Sequence, residues 1–312
     1  MSFAVSGVEV AWWVPPLVAF AVSLVTSTGG VSGAFLLLPF QMSVLGFTSP
    51  AVSATNQLFN VVAIPSGVLR YVREGRMVWP LTWVVVVGTL PGVLLGAVVR
   101  VWLLPDPTAF KVFAGAVLAW IGARLVRDLL GRQQAGGAAA AEARFRELVR
   151  SSGTDGRSDR ATRVTAFTLR RVEYEFHGEV FAFPTASVFL LSLAVGIVGG
   201  IYGIGGGAIV APFFVAVLGL PVYTVAGAAL MGTFVTSVAG VAFYQAIAPL
   251  RPDLAIAPDW ALGLLFGIGG AAGMYCGARL QKRLPARAIK WMLAAVILFV
   301  AGRYLLGIAK LL

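Results

Sequence analysis

The 312-residue chain is 59% apolar, carries only 12% charged residues and has a mean hydropathy of +0.88. A soluble domain of this length shows about 25% charged residues, so a soluble globular fold is excluded. The net charge of +11 does not indicate nucleic acid, because eleven arginines gather between Arg124 and Arg171 in one polar stretch; such a stretch suits a cytoplasmic loop beside anionic lipid.

From the N-terminus, the first 30 residues contain no Lys or Arg, and Glu9 is their only charge. A cleavable signal needs a basic start, so the first apolar block is expected to be a retained span. Five apolar segments precede the polar stretch, at about 11–28, 31–46, 50–71, 79–103 and 108–127. Five follow it, at about 184–204, 206–219, 222–246, 259–279 and 287–309. Most approach the roughly 20 residues that cross a bilayer as helix, and lipid offers the backbone no other partner. The second member of each set is short. Each short segment follows a glycine-rich break, Gly29-Gly30-Val31-Ser32-Gly33 and Gly203-Ile204-Gly205-Gly206-Gly207.

The two sets are copies. A shift of 173 positions carries Gly30 onto Gly203, Gly33 onto Gly206 and Pro39-Phe40 onto Pro212-Phe213. The same shift carries Val44-Leu45-Gly46 onto Val217-Leu218-Gly219, Gly67-Val68 onto Gly240-Val241 and Tyr71 onto Tyr244. After an insertion, Gly92 and Gly96 match Gly273 and Gly277. Basic residues set the orientation. Arg70, Arg73 and Arg76 lie on the connection after the third segment, whereas its counterpart sets Arg251 against Asp253 and Asp259. The next connection reverses the bias. Arg279, Lys282, Arg283, Arg287 and Lys290 in the second set stand against Arg100, Asp106 and Lys111 in the first. Equivalent loops then face opposite sides, which requires an odd number of crossings per set. The expected fold is an all-α polytopic membrane protein of two inverted-topology repeats of about five segments, with short or discontinuous second helices. Three crossings plus a re-entrant pair satisfies the same parity.

The expected organisation is a first membrane repeat at 1–127, a basic cytoplasmic connector at 128–183 and a second membrane repeat at 184–312. Within the connector, 138–150 has helix-forming composition and 151–159 is polar. Residues 164–183 alternate in places around His177-Gly178, as a β-hairpin would.

Catalytic groups are scarce. His177 is the only histidine, Cys276 the only cysteine, and no two carboxylates fall within the apolar segments. Neither an enzyme nor a metal or cofactor site is expected. The run Gly200–Gly207 superficially resembles a dinucleotide loop but lacks the preceding soluble strand and the later acidic residue. The glycine breaks suit a different chemistry. A helix interrupted at membrane depth exposes backbone N–H groups at the start of its second part, where the dipole is positive, and this binds anions. Paired breaks in inverted halves point to a midplane substrate site. Close helix packing is the competing use of the same glycines.

The candidate substrate contacts in the first set are Thr28, Gly29, Gly30, Ser32 and Gly33, with Asn56, Gln57 and Asn60 from the third segment. Tyr202, Gly203, Gly205, Gly206, Gly207, Thr233 and Ser237 are their counterparts in the second. Thr26, Ser27, Thr55 and Thr236 add polarity nearby. Asn56 and Asn60, four apart, share a helix face; amides in lipid either line a cavity or bridge helices. No Asp or Glu lies well inside a span, which argues against a carboxylate proton relay.

At the repeated glycines the chain resembles the sulfite exporter TauE/SafE family. Gly30-Val31-Ser32-Gly33 leading to Pro39, and Gly203-Ile204-Gly205-Gly206-Gly207 leading to Pro212, carry the likeness. The Leu45-Gly46 and Leu218-Gly219 turns and the Thr55-Asn56 pair extend it. The resemblance spans the chain outside 128–183. It implies movement of sulfite, organosulfonates or related sulfur anions, mostly outward, with the oxyanion held between the two breaks. Ser32 and Ala34 depart from the pattern, standing where the second copy has Gly205 and Gly207. The alternatives are proton-coupled uptake of an organic anion, or a membrane scaffold acting through the connector.

Overall fold

The computed structural model describes residues 1–28, 32–73, 77–130, 162–168, 170–176, 179–207, 209–210, 214, 218, 220, 222–280 and 286–309. The expected helix at 138–150, the polar stretch 151–159, the His177-Gly178 turn, and Gly29 and Gly30 lie outside them.

Helices occupy the apolar blocks. They begin with α1 (Val14–Thr28), α2 (Ala34–Ser43), α3 (Ala51–Ala63) and α4 (Pro65–Arg73). Next come α5 (Trp79–Val98), which widens into a π turn over Val99–Leu103, and α6 (Pro107–Leu130). Three strands, β1 (Thr162–Phe167), β2 (Arg171–Phe176) and β3 (Glu179–Pro184), form an antiparallel sheet in that order. The chain continues through α7 (Thr185–Tyr202), α8 (Val222–Ile247), α9 (Trp260–Leu280) and α10 (Ala286–Ala309). Between α7 and α8, residues Gly207, Ile209, Val210, Phe214 and Leu218 are helical. Among the described residues, five helices are long and apolar enough to cross a bilayer: Trp79–Leu103, Pro107–Arg127, Thr185–Tyr202, Thr224–Leu250 and Trp260–Gly277. The protein is a mostly helical, polytopic membrane protein.

One boundary differs from the sequence reading. The segment expected as a single block over 50–71 is two helices that meet at Ile64. Pro65 has no N–H to donate to the preceding turn, and its ring crowds that turn. In the second copy α8 runs unbroken for 26 residues.

α5 shows how the bundle is sorted. Trp79, Trp83 and Val87, at four-residue spacing, are exposed and form one apolar stripe. Gly88, Gly92 and Gly96 form another stripe, against α7. A β carbon at Gly88 would lie 2.8 Å from Ser192 Cβ, and one at Gly92 or Gly96 would lie 2.9 Å from the Cα of Gly196 or Gly200. The two backbones touch, as small residues permit in membranes. α9 repeats the arrangement on α1. A β carbon at Gly269 would lie 2.6 Å from Pro16 Cα, and one at Gly273 would lie 3.0 Å from Phe20 Cα. Pro16 and Phe20 precede Phe189 and Leu193, the residues met by Gly88 and Gly92, by the same 173 positions that relate the glycine motifs. The remaining packing is also reciprocal: α3 lies on α8 and α6 on α10, while α5 also meets α8 and α3 also meets α9.

Each set of helices is preceded by β structure. Val172, Tyr174, Phe176 and Phe183 of the sheet are buried with the main core. The Tyr174 hydroxyl is 2.9 Å from Thr224 Oγ1 in the first turn of α8. Burial raises the Tyr174 phenol, and that hydrogen bond opposes the shift only in part; the group stays neutral well into alkaline pH. At the N-terminus, Ser2 and Glu9 pair as a β-bridge. Ser6 there donates to Asp259 Oδ2 through its N–H (3.0 Å) and hydroxyl (2.8 Å). Asp259 Oδ1 in turn caps α9 by accepting from Leu262 N at 3.1 Å.

Candidate functional site

The second glycine break is a true interruption. α7 closes at Gly203, whose N–H donates to Gly199 O at 2.8 Å and whose φ is +83°. Gly205 has φ +71°, and helix resumes at Gly207. These two left-handed positions are the conformations that only glycine adopts without strain. Residues 201–207 are all buried.

Three helices wall this break, and each does so with a hydroxyl-bearing residue. A β carbon at Gly203 would lie 2.6 Å from Ser53 Cα of α3, and one at Gly206 would lie 2.6 Å from Thr89 Cβ of α5. A β carbon at Gly205 would lie 2.9 Å from Ser237 Oγ, and one at Gly207 would lie 2.6 Å from Thr233 Oγ1, both on α8. Gly206 N donates to Thr236 Oγ1 at 3.4 Å. Ser53 and Thr89 were not among the residues singled out by sequence. Their signal was present but slight: Ser53 lies three residues before Asn56, and Thr89 adjoins the glycine stripe of α5.

At the first break, α1 ends at Thr28 and α2 begins at Ala34. Ser32 Oγ accepts from Ala34 N at 3.3 Å, a side-chain substitute for a missing helical acceptor. Gly33 lies against α1, where a β carbon would sit 3.0 Å from Ser23 Oγ and 3.4 Å from Thr26 Oγ1.

α3 ties the two breaks together. Asn56 Nδ2 donates to Ala34 O at 3.0 Å and to Gly203 O at 3.1 Å, one partner from each interrupted region. One turn on, Asn60 Nδ2 donates to Ile204 O at 3.0 Å, and its Oδ1 accepts from Ser32 Oγ at 3.1 Å. Ser53 Oγ completes the row by donating to Ile201 O at 2.9 Å. Asn56 Oδ1 accepts from Gln41 Nε2 at 3.3 Å. Both amides are therefore engaged with backbone and neighbouring side chains, the bridging use that competes with cavity lining.

Tyr202 reaches the opposite way. Pro39 inside α2 has no N–H, so the Phe35 carbonyl one turn earlier lacks its helical donor. The Tyr202 hydroxyl donates to that carbonyl at 2.8 Å. Thr233 Oγ1 bonds back to Ala229 O at 2.9 Å. Gln57 packs on Gly240 of α8, where a β carbon would lie 2.6 Å from Gln57 Cδ. Both amide atoms of Gln57, Ser23 Oγ and Ser237 Oγ are buried and without a hydrogen-bond partner. Such groups are rare, and each calls for a partner. Ser237 and Ser23 adjoin the second and first breaks respectively.

A family model described as sulfite exporter TauE/SafE matches residues 16–304, a span that includes both breaks and every helix that packs on them. The chain belongs to the sulfite exporter TauE/SafE family. No curated protein and no solved structure matches the chain. TauE/SafE membership makes it a membrane transporter of sulfite or related anions, a class of carriers rather than of enzymes. The geometry at the breaks is therefore the geometry of a TauE/SafE protein, with a small anion as its substrate.

Proposed function

We propose that this TauE/SafE protein carries a small sulfur oxyanion, sulfite or a short organosulfonate, outward across the bacterial inner membrane, through a pocket between the two glycine breaks. The observation that carries the reading is the position of Asn56, which bonds the start of α2 and the Gly203 carbonyl with a single amide nitrogen. Two interrupted helices from separate copies thus come within reach of one side chain. The donors for the anion are the backbone N–H groups of Gly205 and Gly207 and those around Ser32–Gly33, with the hydroxyls of Ser23 and Ser237 beside them. Uncovered N–H groups at a helix start favour an anion without a cationic side chain.

The reciprocal packing of α1 on α9 and α7 on α5 supports two repeats over 1–127 and 184–312, and the opposite charge bias of equivalent loops supports their inverted orientation. The same bias supports a cytoplasmic position for the 128–183 connector. An interior-negative potential favours exit of an anion by about 2.3 kcal/mol per charge per 100 mV, so export needs no relay of carboxylates.

Purified protein in proteoliposomes should release entrapped sulfite or methanesulfonate faster than protein-free vesicles. The rate should rise when a potassium diffusion potential makes the interior negative. Release at the rate of empty vesicles for every sulfur oxyanion tried would overturn the proposal.

A further inference from the structure

Arg100 stands on the connection after α5 in the sequence, among residues that usually face water, yet its relative exposure is 0%. It lies in the π turn that ends α5. Its two terminal nitrogens donate to Thr48 O at 3.0 Å and to Leu104 O, and the guanidinium carbon lies 3.7 Å over the Phe110 ring. Nε has no partner. None of these contacts carries a negative charge.

The three carboxylates on the connections that the charge bias assigns to this side are occupied elsewhere. Asp106 caps α6, accepting from Ala109 N at 2.7 Å. Asp253 pairs with Arg251 at 2.8 Å. Asp259 holds Ser6 and the start of α9. A buried charge without a counter-ion is costly, and in a membrane protein it marks a functional position. Two neutral carbonyls and a ring keep the guanidinium solvated without neutralising it. Its field therefore remains available to an incoming anion.

Arg100 is also linked to the residues just before the second break. It sits one turn beyond Gly96, whose β carbon would lie 2.9 Å from Gly200 Cα. The Tyr244 hydroxyl, from a side chain close enough to Arg100 to interact electrostatically, donates to Gly200 O at 3.2 Å. Gly200 lies three residues before Gly203.

We infer that Arg100 is a binding residue for the transported oxyanion, holding it in the approach between the α5 end of the bundle and the second break. The inference rests on the anion-transport reading above. The planar guanidinium, with one N–H already free and two held only by neutral carbonyls, offers parallel donors to two oxygens of a sulfite or sulfonate group. Bonds to a charged oxyanion replace those to the neutral carbonyls of Thr48 and Leu104. An ammonium cannot reproduce that fork.

The test compares wild type, Arg100→Gln and Arg100→Lys in proteoliposomes, with sulfite flux normalised to inserted protein. Arg100→Gln should raise KM about tenfold or more while the maximal rate per inserted protein changes less than about threefold, and Arg100→Lys should fall between it and wild type. A purely structural arginine would instead lower the melting temperature and the inserted amount with KM unchanged. Unchanged KM in Arg100→Gln overturns the assignment; if that variant fails to insert, unchanged KM in Arg100→Lys does so. Wild-type flux with unchanged KM in the variants removes only the role of Arg100, whereas absence of wild-type flux removes the transport reading and this inference together.

Discussion

The two interrupted helices share a sequence pattern but divide their work. On the first side, α3 reaches outward: Ser53, Asn56 and Asn60 all donate to carbonyls of Ile201–Ile204. On the second side, α8 keeps its polar bonds largely to itself. Thr233 and Thr236 bond back to Ala229 and Gly232 one turn earlier. The second break contributes backbone, with Gly203 and Gly205 at positive φ, and its Gly205 and Gly207 stand where the first has Ser32 and Ala34. The α3 side supplies the side-chain donors, and the second break supplies the peptide carbonyls that receive them. Substitutions on the two sides should therefore differ in size and kind.

The largest effect is expected at Gly203→Val. The β-branched residue would be forced to φ near +83° and driven into the Ser53 backbone. Left-handed strain alone costs about 1–2 kcal/mol, and the overlap adds to it. Sulfite flux should be lost and the detergent melting temperature should fall sharply; wild-type flux would show that the break tolerates a side chain. Next is Asn56→Leu, which strands Gly203 O and takes a second donor from Ala34 O, at a loss of about 1–3 kcal/mol. Thr236→Val should lose less, about 1 kcal/mol, because its short bond is to Gly232 O within its own helix and only the 3.4 Å contact from Gly206 N leaves that helix. Equal losses in thermal unfolding would erase the asymmetry just described.

The sharpest test is Tyr202→Phe, which should lose about 1 kcal/mol. In a Pro39→Ala background a backbone N–H returns to satisfy Phe35 O, so the same change should have little effect. A double-mutant cycle on melting in detergent reads this coupling directly. Additive effects would mean that the hydroxyl is not filling the vacancy left by proline.

Much of the fold was legible because lipid imposes a simple rule on composition. Apolar blocks had to be helices, and α1, α5, α6 and α7–α10 begin and end within a few residues of those blocks. Pro65 was equally visible, yet an apolar run through 50–71 concealed that its missing N–H divides the segment. At the site, polarity near the glycines could be read, but not where each side chain was spent. Asn56 and Gln57 are adjacent and chemically alike. One meets two carbonyls and the other meets Gly240, a choice made by helix rotation and by neighbours far along the chain. Arg100 was counted with the loop charges that set orientation. Its burial depends on Thr48, Leu104 and Phe110 closing over it, a contact set with no local signature.

The row of bonds from α3 has a mechanical consequence. Hydrogen bonds near 3.0 Å lose most of their strength if stretched by about half an ångström, so sliding one half past the other at Asn56 and Asn60 would rupture several at once. Rotation about the line through those two side chains would rupture none. Relative motion of the two sides is therefore cheapest as rotation about that row, while the N-terminal β-bridge and the Tyr174–Thr224 contact tie outlying segments to β structure.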